Sequence, residues 1–229
     1  MKRSFLTGVF LASVLCLAAA AQTVVPKRVV RASGQASISV EPDQAMVNAG
    51  VTSKAPTAAE AASQNAIQVD KVLAELRRVL GANAGLKTIN YSLSPEYEHK
   101  AGEPARLVGF TANNTVQVTI NDLSLIGTVI DAAMTAGATN VHGLRFTLQD
   151  PEPLRRRALA AAAQQARENA QAIAAGLGEQ VGAVLVAQEG STVQSAYGPE
   201  IRDVAGAKTP IEPGLVDVRA FVAVEMELR

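Results

Sequence analysis

The chain switches repeatedly between two hydrophobic periods, and that switching limits what it can fold into. Val216, Val218, Ala220, Val222, Val224, Met226 and Leu228 fall at every second position. A period of two places one set of side chains on one face of a strand. The same alternation joins Ala32, Gly34, Ala36, Ile38 and Val40, then Ala45, Val47, Ala49 and Val51. Glu41-Pro42-Asp43 turns the chain between these runs, and the pair is expected to form a hairpin. Ile89, Tyr91 and Leu93 alternate next, with Pro95 marking an edge or a bulge. A hairpin loop from Glu98 to Arg106 leads to Val108, Phe110, Ala112, Val116, Val118 and Ile120 on one face. Asn114 interrupts that face and needs hydrogen-bond partners if covered. Leu144, Phe146 and Leu148, then Val184 and Val186, mark two further strands.

Three stretches follow the helical period instead. Thr57 and Glu60 form a capping box ahead of a seam of Ala59, Ala62, Ala66, Val69, Leu73, Leu76 and Leu80, closed at Gly81. A coiled coil would also show such a seam, but flanking strands point to a helix packed on a sheet. Asp122 caps a second helix with Leu123, Ile126, Ile130 and Ala133, ending at Gly137. Asp150-Pro151 opens a third, whose narrow stripe is Ala158, Ala162, Ala166, Ala170 and Ile173; Gly176 and Gly178 end it. That stripe suits close packing within the protomer or between protomers. The resulting order is β-β-α-β-β-α-β-α-β-β, an α+β fold of mostly antiparallel sheet with three helices packed on one face.

Composition removes several function classes. Aromatics are 3% with no Trp, which argues against a membrane barrel with aromatic girdles and against stacking on single-stranded nucleic acid. Lys+Arg and Asp+Glu both number 21, so no strong field draws in nucleic acid or anionic lipid. A single cysteine, Cys16, excludes a disulfide scaffold and a Cys-based zinc site.

Lys2-Arg3, an apolar run from Phe5 to Leu17 and Ala19-Ala20-Ala21 before Gln22 have the three-part form of a secretory leader. The run is short for a membrane span, which takes about 20 residues; an uncleaved anchor is the alternative. Leu15 before Cys16 is too bulky for a lipoprotein signal. The expected organisation is a leader at 1–21, a flexible lead-in at 22–28 and one α+β domain at 29–229. Within the domain, residues 191–214 read as a long irregular loop. The expected destination is the periplasm, associated with the envelope or secreted, and no transmembrane segment is expected in the mature chain.

Candidate chemistry is sparse. His99 lies beside Glu96 and Glu98, where a surface metal site is conceivable, but a working site needs three or four ligands held in geometry. His142 stands at a strand start. A Ser-His-Asp hydrolase would need one of these imidazoles beside a nucleophile, and no Gly-x-Ser-x-Gly elbow points to a serine. No phosphate-cradling or dinucleotide glycine pattern is present. Arg155-Arg156-Arg157 is the one basic run, read either as an anion, acidic-partner or headgroup contact or as a solvated face. No residue is therefore assigned as catalytic, cofactor-binding or metal-ligating.

Gly34-Gln35-Ala36 through Glu41-Pro42-Asp43-Gln44-Ala45 to Gly50-Val51 resembles the opening of SIMPL-domain proteins. Thr88 to Tyr97, Gly109-Phe110-Thr111-Ala112-Asn113-Asn114 with Val116 and Val118, Gly137-Ala138 to Phe146 with Asp150, and Pro213-Gly214 are similar to later motifs of that family, in order. Ala36 stands where many relatives carry a second glycine. The family, of unknown function, includes a periplasmic immunogenic antigen and proteins linked to oxidative-stress tolerance. The resemblance implies an α+β fold and a tendency to form homo-oligomers; it brings no catalytic residues. The expected function is that of an exported, non-enzymatic, self-associating protein without cofactor or nucleic-acid partner. A periplasmic ligand-binding or chaperone-like module is the alternative, and a hydrolase using His99 or His142 comes third.

Overall fold

Each expected strand forms in the computed structural model, which describes residues 27–81, 85–197 and 213–229. The order is β1 (Val29–Val40), β2 (Gln44–Ala55), α1 (Ala58–Leu80), β3 (Gly85–Glu98), β4 (Arg106–Ile120), a 3-10 turn (Leu123–Leu125), α2 (Ile126–Thr135), β5 (Asn140–Thr147), α3 (Glu152–Gly176), β6 (Val181–Gln194), the two-residue β7 (Ala196–Tyr197) and β8 (Val216–Leu228). The fold is α+β and its strand pairs are antiparallel.

The strands divide into two sheets, ordered β1-β8-β6 and β3-β4-β2-β5-β7. This corrects two expectations: one helix-backed sheet, and a β1–β2 hairpin. β1 pairs with β8 from Val29↔Glu227 to Val40↔Val216, while β2 pairs with β4 and β5. The Glu41-Pro42-Asp43 turn passes the chain from one sheet to the other. Pro42 is buried there, and the Gln149 amide donates to Asp43 Oδ1 at 2.7 Å. β8 satisfies β1 along its whole length, so the sequence-adjacent strand is not needed as a partner.

Each sheet has its own helical layer and core. α3 lies on β1 and β8. Ala158, Ala162, Ala166 and Ala170 pack on Val216, Val218, Ala220, Val222, Val224 and Met226, and every one of these side chains is buried. Gly34 permits the close approach, since a Cβ there would sit 2.2 Å from the Ala162 carbonyl oxygen and 2.4 Å from the Ala166 nitrogen. The alanine stripe is thus spent within the protomer. Its last member is Ala174, 1% exposed, and Ile173 is 44% exposed.

α1 and α2 cover the larger sheet, burying Val47, Val51, Val72, Leu76, Val116, Val118, Ile120, Val129 and Phe146. Thr57 caps α1 as expected, its Oγ1 accepting from the Glu60 amide at 3.3 Å. The reciprocal bond differs from the standard box, because Thr57 Oγ1 donates to Glu60 Oε2 at 2.9 Å. The first half of the seam is rotated from expectation. Ala61 and Asn65 are buried, whereas Ala59 and Ala66 are exposed. Alanines mark a face weakly, and the polar Asn65 hid the true stripe. Its Nδ2 donates to the carbonyls of Val51 (2.9 Å) and Ala112 (3.2 Å), tying helix to sheet. Asn114 Oδ1 is buried without a hydrogen-bond partner among the described residues. Asp122 caps the 3-10 turn rather than α2 itself, accepting from the Ser124 amide at 3.0 Å.

The stretch expected to be irregular from Ser191 begins as strand, because β6 continues to Gln194 and β7 follows. At the other end, the Arg28 carbonyl already accepts from Leu228, so pairing reaches into the expected lead-in. The leader at 1–21, positions 22–26 of the lead-in and 198–212 of the loop lie outside the described residues.

Candidate functional site

Each sheet buries the face under its helices, and among the described residues no helix covers the other. On the three-stranded sheet the alternation that turns Gly34 and Val222 inward turns Arg31, Ser33, Gln35, Ser37 and Ser39 outward. They lie opposite Glu225, Ala223, Phe221, Arg219 and Asp217 of β8. Arg31 pairs with Glu225 at 2.6 Å and Arg219 with Asp217 at 3.1 Å. Ser39 donates to Asp217 at 2.6 Å. The Ser39 hydroxyl and then the Arg219 guanidinium hold the Asp217 carboxyl below its ordinary pKa. A shallow depression of about 590 Å³ opens on this face, lined by Arg31, Ser33, Val186, Gln188, Ala223 and Glu225 among others. Phe221, 41% exposed, contributes to a second depression of about 460 Å³ beside it.

The larger sheet exposes apolar groups on its β3–β4 hairpin. Ile89, Tyr91, Leu93 and Tyr97 of β3 and Leu107 and Val108 of β4 are all exposed. β3 is the edge strand, with bulges between Thr88 and Asn90 and between Glu96 and Tyr97. Pro95 in this edge strand agrees with the sequence reading. Val108, expected to share the covered face of β4, does not reach the helices.

The candidate chemical residues are not brought together. His99 is exposed just beyond β3, and His142 is exposed on β5 opposite Asn48, with β4 and β2 lying between those strands. The carboxylates beside His99 are engaged elsewhere. Glu96 takes Lys54 at 2.7 Å and the Thr111 hydroxyl at 3.0 Å, and those bonds lower its pKa, Lys54 first. Glu98 takes Arg106 at 2.9 Å. Among the described residues no group of three His, Cys, Asp or Glu side chains is placed to hold a metal ion. Of the basic run, Arg155 reaches Ser191 at 2.5 Å and Glu152 at 3.2 Å, with Glu189 at 3.7 Å, while Arg156 and Arg157 are exposed.

Sequence reasoning missed Gln165 and Asn169. Both stand on α3 beside the alanine stripe, four residues apart, so they share a helix face. Gln165 Oε1 accepts from the Gln35 amide at 2.7 Å, and Asn169 Nδ2 donates to the Ser33 carbonyl at 2.7 Å. The i,i+4 spacing of two amides flanking the stripe was the available signal.

Taken together, these features define an α+β protein of two half-covered antiparallel sheets whose distinctive surfaces are open sheet faces and strand edges. The chain belongs to the SIMPL family, described as a protein of unknown function (DUF541), whose model matches residues 30–226. A protein of Edwardsiella ictaluri named uncharacterized protein YggE is 31% identical over 152 residues, covering 66% of this chain and 64% of that one. The protein of that name in Escherichia coli strain K12 is 28% identical over 152 residues, 66% of this chain and 61% of that one. The 26 kDa periplasmic immunogenic protein of Brucella melitensis is 28% identical over 168 residues, 69% of this chain and 66% of that one. The aligned region thus spans less than two thirds of the length of the Edwardsiella and Escherichia relatives. Among the described residues no helix is long and apolar enough to cross a membrane.

Proposed function

We propose that this is an exported, non-enzymatic protein of the bacterial periplasm or envelope that acts by self-assembly into a homo-oligomer. The observation that carries the reading is the large amount of apolar surface left on strands: Ile89, Tyr91, Leu93, Tyr97, Leu107 and Val108 on one hairpin, and Val184, Val186 and Val193 on β6. Exposed apolar side chains gathered on strands in this way are the kind of surface that a partner covers. The three-part leader form at 1–21 and a relative named as periplasmic support export. Peripheral contact with the envelope and a part in oxidative or envelope stress tolerance fit a protein that works through its surfaces. Release by osmotic shock, an N-terminus at Gln22 and a particle mass above that of one chain are the expected results. Retention in the cytosol with Met1 intact would overturn the export reading, and a single-chain mass the assembly reading.

A second reading, a periplasmic module for a small ligand, is favoured by the depression around Arg31, Gln188 and Glu225. A thermal-shift screen against envelope fragments tests it, since selective binding raises apparent stability by mass action. No shift with any fragment would remove it.

A further inference from the structure

The two edges of the three-stranded sheet are treated differently. On β1 the outward backbone groups of Ser33 and Gln35 are occupied by the side-chain amides of Asn169 and Gln165. Such blocking prevents another strand from adding there. On β6 nothing comparable occurs among the described residues. From Val186↔Glu225 to Gln194↔Asp217 the strand pairs with β8 in unbroken register, and its other side faces outward. This stretch carries one charge, Glu189, and no proline or lysine. Val186 is 46% and Val193 37% exposed. A long, regular, nearly neutral edge is a template for strand addition.

We infer that β6 is the seam through which two copies of this chain join, antiparallel about Gly190, and this rests on the self-assembly proposed above. Gly190 is the midpoint of the unbroken stretch, so pairing about it uses the whole regular edge. Gly190 then faces itself, Gln188 lies opposite Thr192 of the partner subunit, and Ala187 opposite Val193 of the partner subunit. The charges agree with this register. Glu189 avoids its own counterpart and lies opposite Ser191 of the partner subunit. Within each chain Arg155 donates to Ser191 at 2.5 Å and keeps its own Glu189 at 3.7 Å. Arg155 of each copy is therefore already held beside the position that Glu189 of the other copy enters. Arg155 and Glu189 keep 38% and 60% of their side-chain surface exposed, which leaves them open to the second copy.

A single thiol tests the register. In a Cys16→Ser background, Gly190→Cys introduces the only cysteine, and a Cβ there meets nothing within 4 Å. Directly opposed strand residues hold their Cβ atoms about 4.5–5.5 Å apart, near disulfide reach. Mild oxidation is expected to convert most of the protein into a covalent dimer, whereas Ser37→Cys on the blocked strand stays single. Arg155→Glu is expected to lower the particle mass, and adding Glu189→Arg to restore it. Should Gly190→Cys fail to fold, Gln188→Cys combined with Thr192→Cys reports the same register. An assembled particle that neither cross-links nor responds to the charge reversals overturns this seam while leaving self-assembly standing. A wild-type protein of single-chain mass overturns both.

Discussion

At the residue scale, the buried polar and glycine positions constrain most. Asn65 holds two sheet carbonyls under α1, and Asn65→Ala leaves both without that donor inside a closed layer. The expected loss is about 1–3 kcal/mol, read from the urea midpoint. Gly34→Ala drives a methyl into the backbone of α3 and is expected to cost about 1–3 kcal/mol or more; an unchanged midpoint would show that helix and strand can separate there freely. The Ser39 hydroxyl and Arg219 hold the Asp217 carboxyl below its ordinary value, so this tie between β1 and β8 is intact at neutral pH. A depressed carboxylate contributes stability above its unfolded value and loses it as pH falls through the folded one. Ser39→Ala is expected to move the Asp217 midpoint upward in a carboxyl NMR titration. Little of this was legible in sequence. Asn65 fell outside the seam read from sequence because polarity usually marks the wet face, and its role depends on two carbonyls 14 and 47 residues away in the chain.

At the element scale the local signals held except at Asp122, and of the two expected hairpins β3–β4 formed while β1–β2 did not. Thr57, Gly81, Asp150-Pro151 and Gly178 all act where sequence placed them, since caps and turns are settled within a few residues. Thr57→Ala is expected to cost α1 about 1 kcal/mol, measured by thermal unfolding at neutral pH. The β1–β2 hairpin failed because strand partners are chosen across the chain: β1 takes β8, nearly two hundred residues on. The contact seam of α3 was read correctly through Ala170 but not at Ile173, and its edge-blocking amides were missed. Apolar periodicity reports burial, while Gln165 and Asn169 act on a strand that periodicity does not locate. Gln165→Ala with Asn169→Ala frees the β1 edge, and faster amide exchange at Gln35 is the expected result.

At the scale of the whole molecule, the described residues show two half-covered sheets, an apolar hairpin and an unguarded β6 edge. Fold class was visible in the alternation of periods, but the division into two sheets was not, because each strand reads the same whichever sheet it joins. The contact surfaces were not legible for a related reason: sequence shows which residues are apolar, and only the fold shows which of them the helices fail to reach. Ile89, Tyr91 and Leu93 alternate as well as any covered strand, yet α1 and α2 leave them exposed. If the protein works by joining copies, with β6 open and β1 closed, the two edges respond differently to concentration. Amide hydrogen exchange of both edges, followed as protein concentration rises, separates them. Protection across Val186–Gln194 is expected to grow with concentration while β1 stays constant; exchange at β6 as fast as a free strand at every concentration would rule out the joining of copies there.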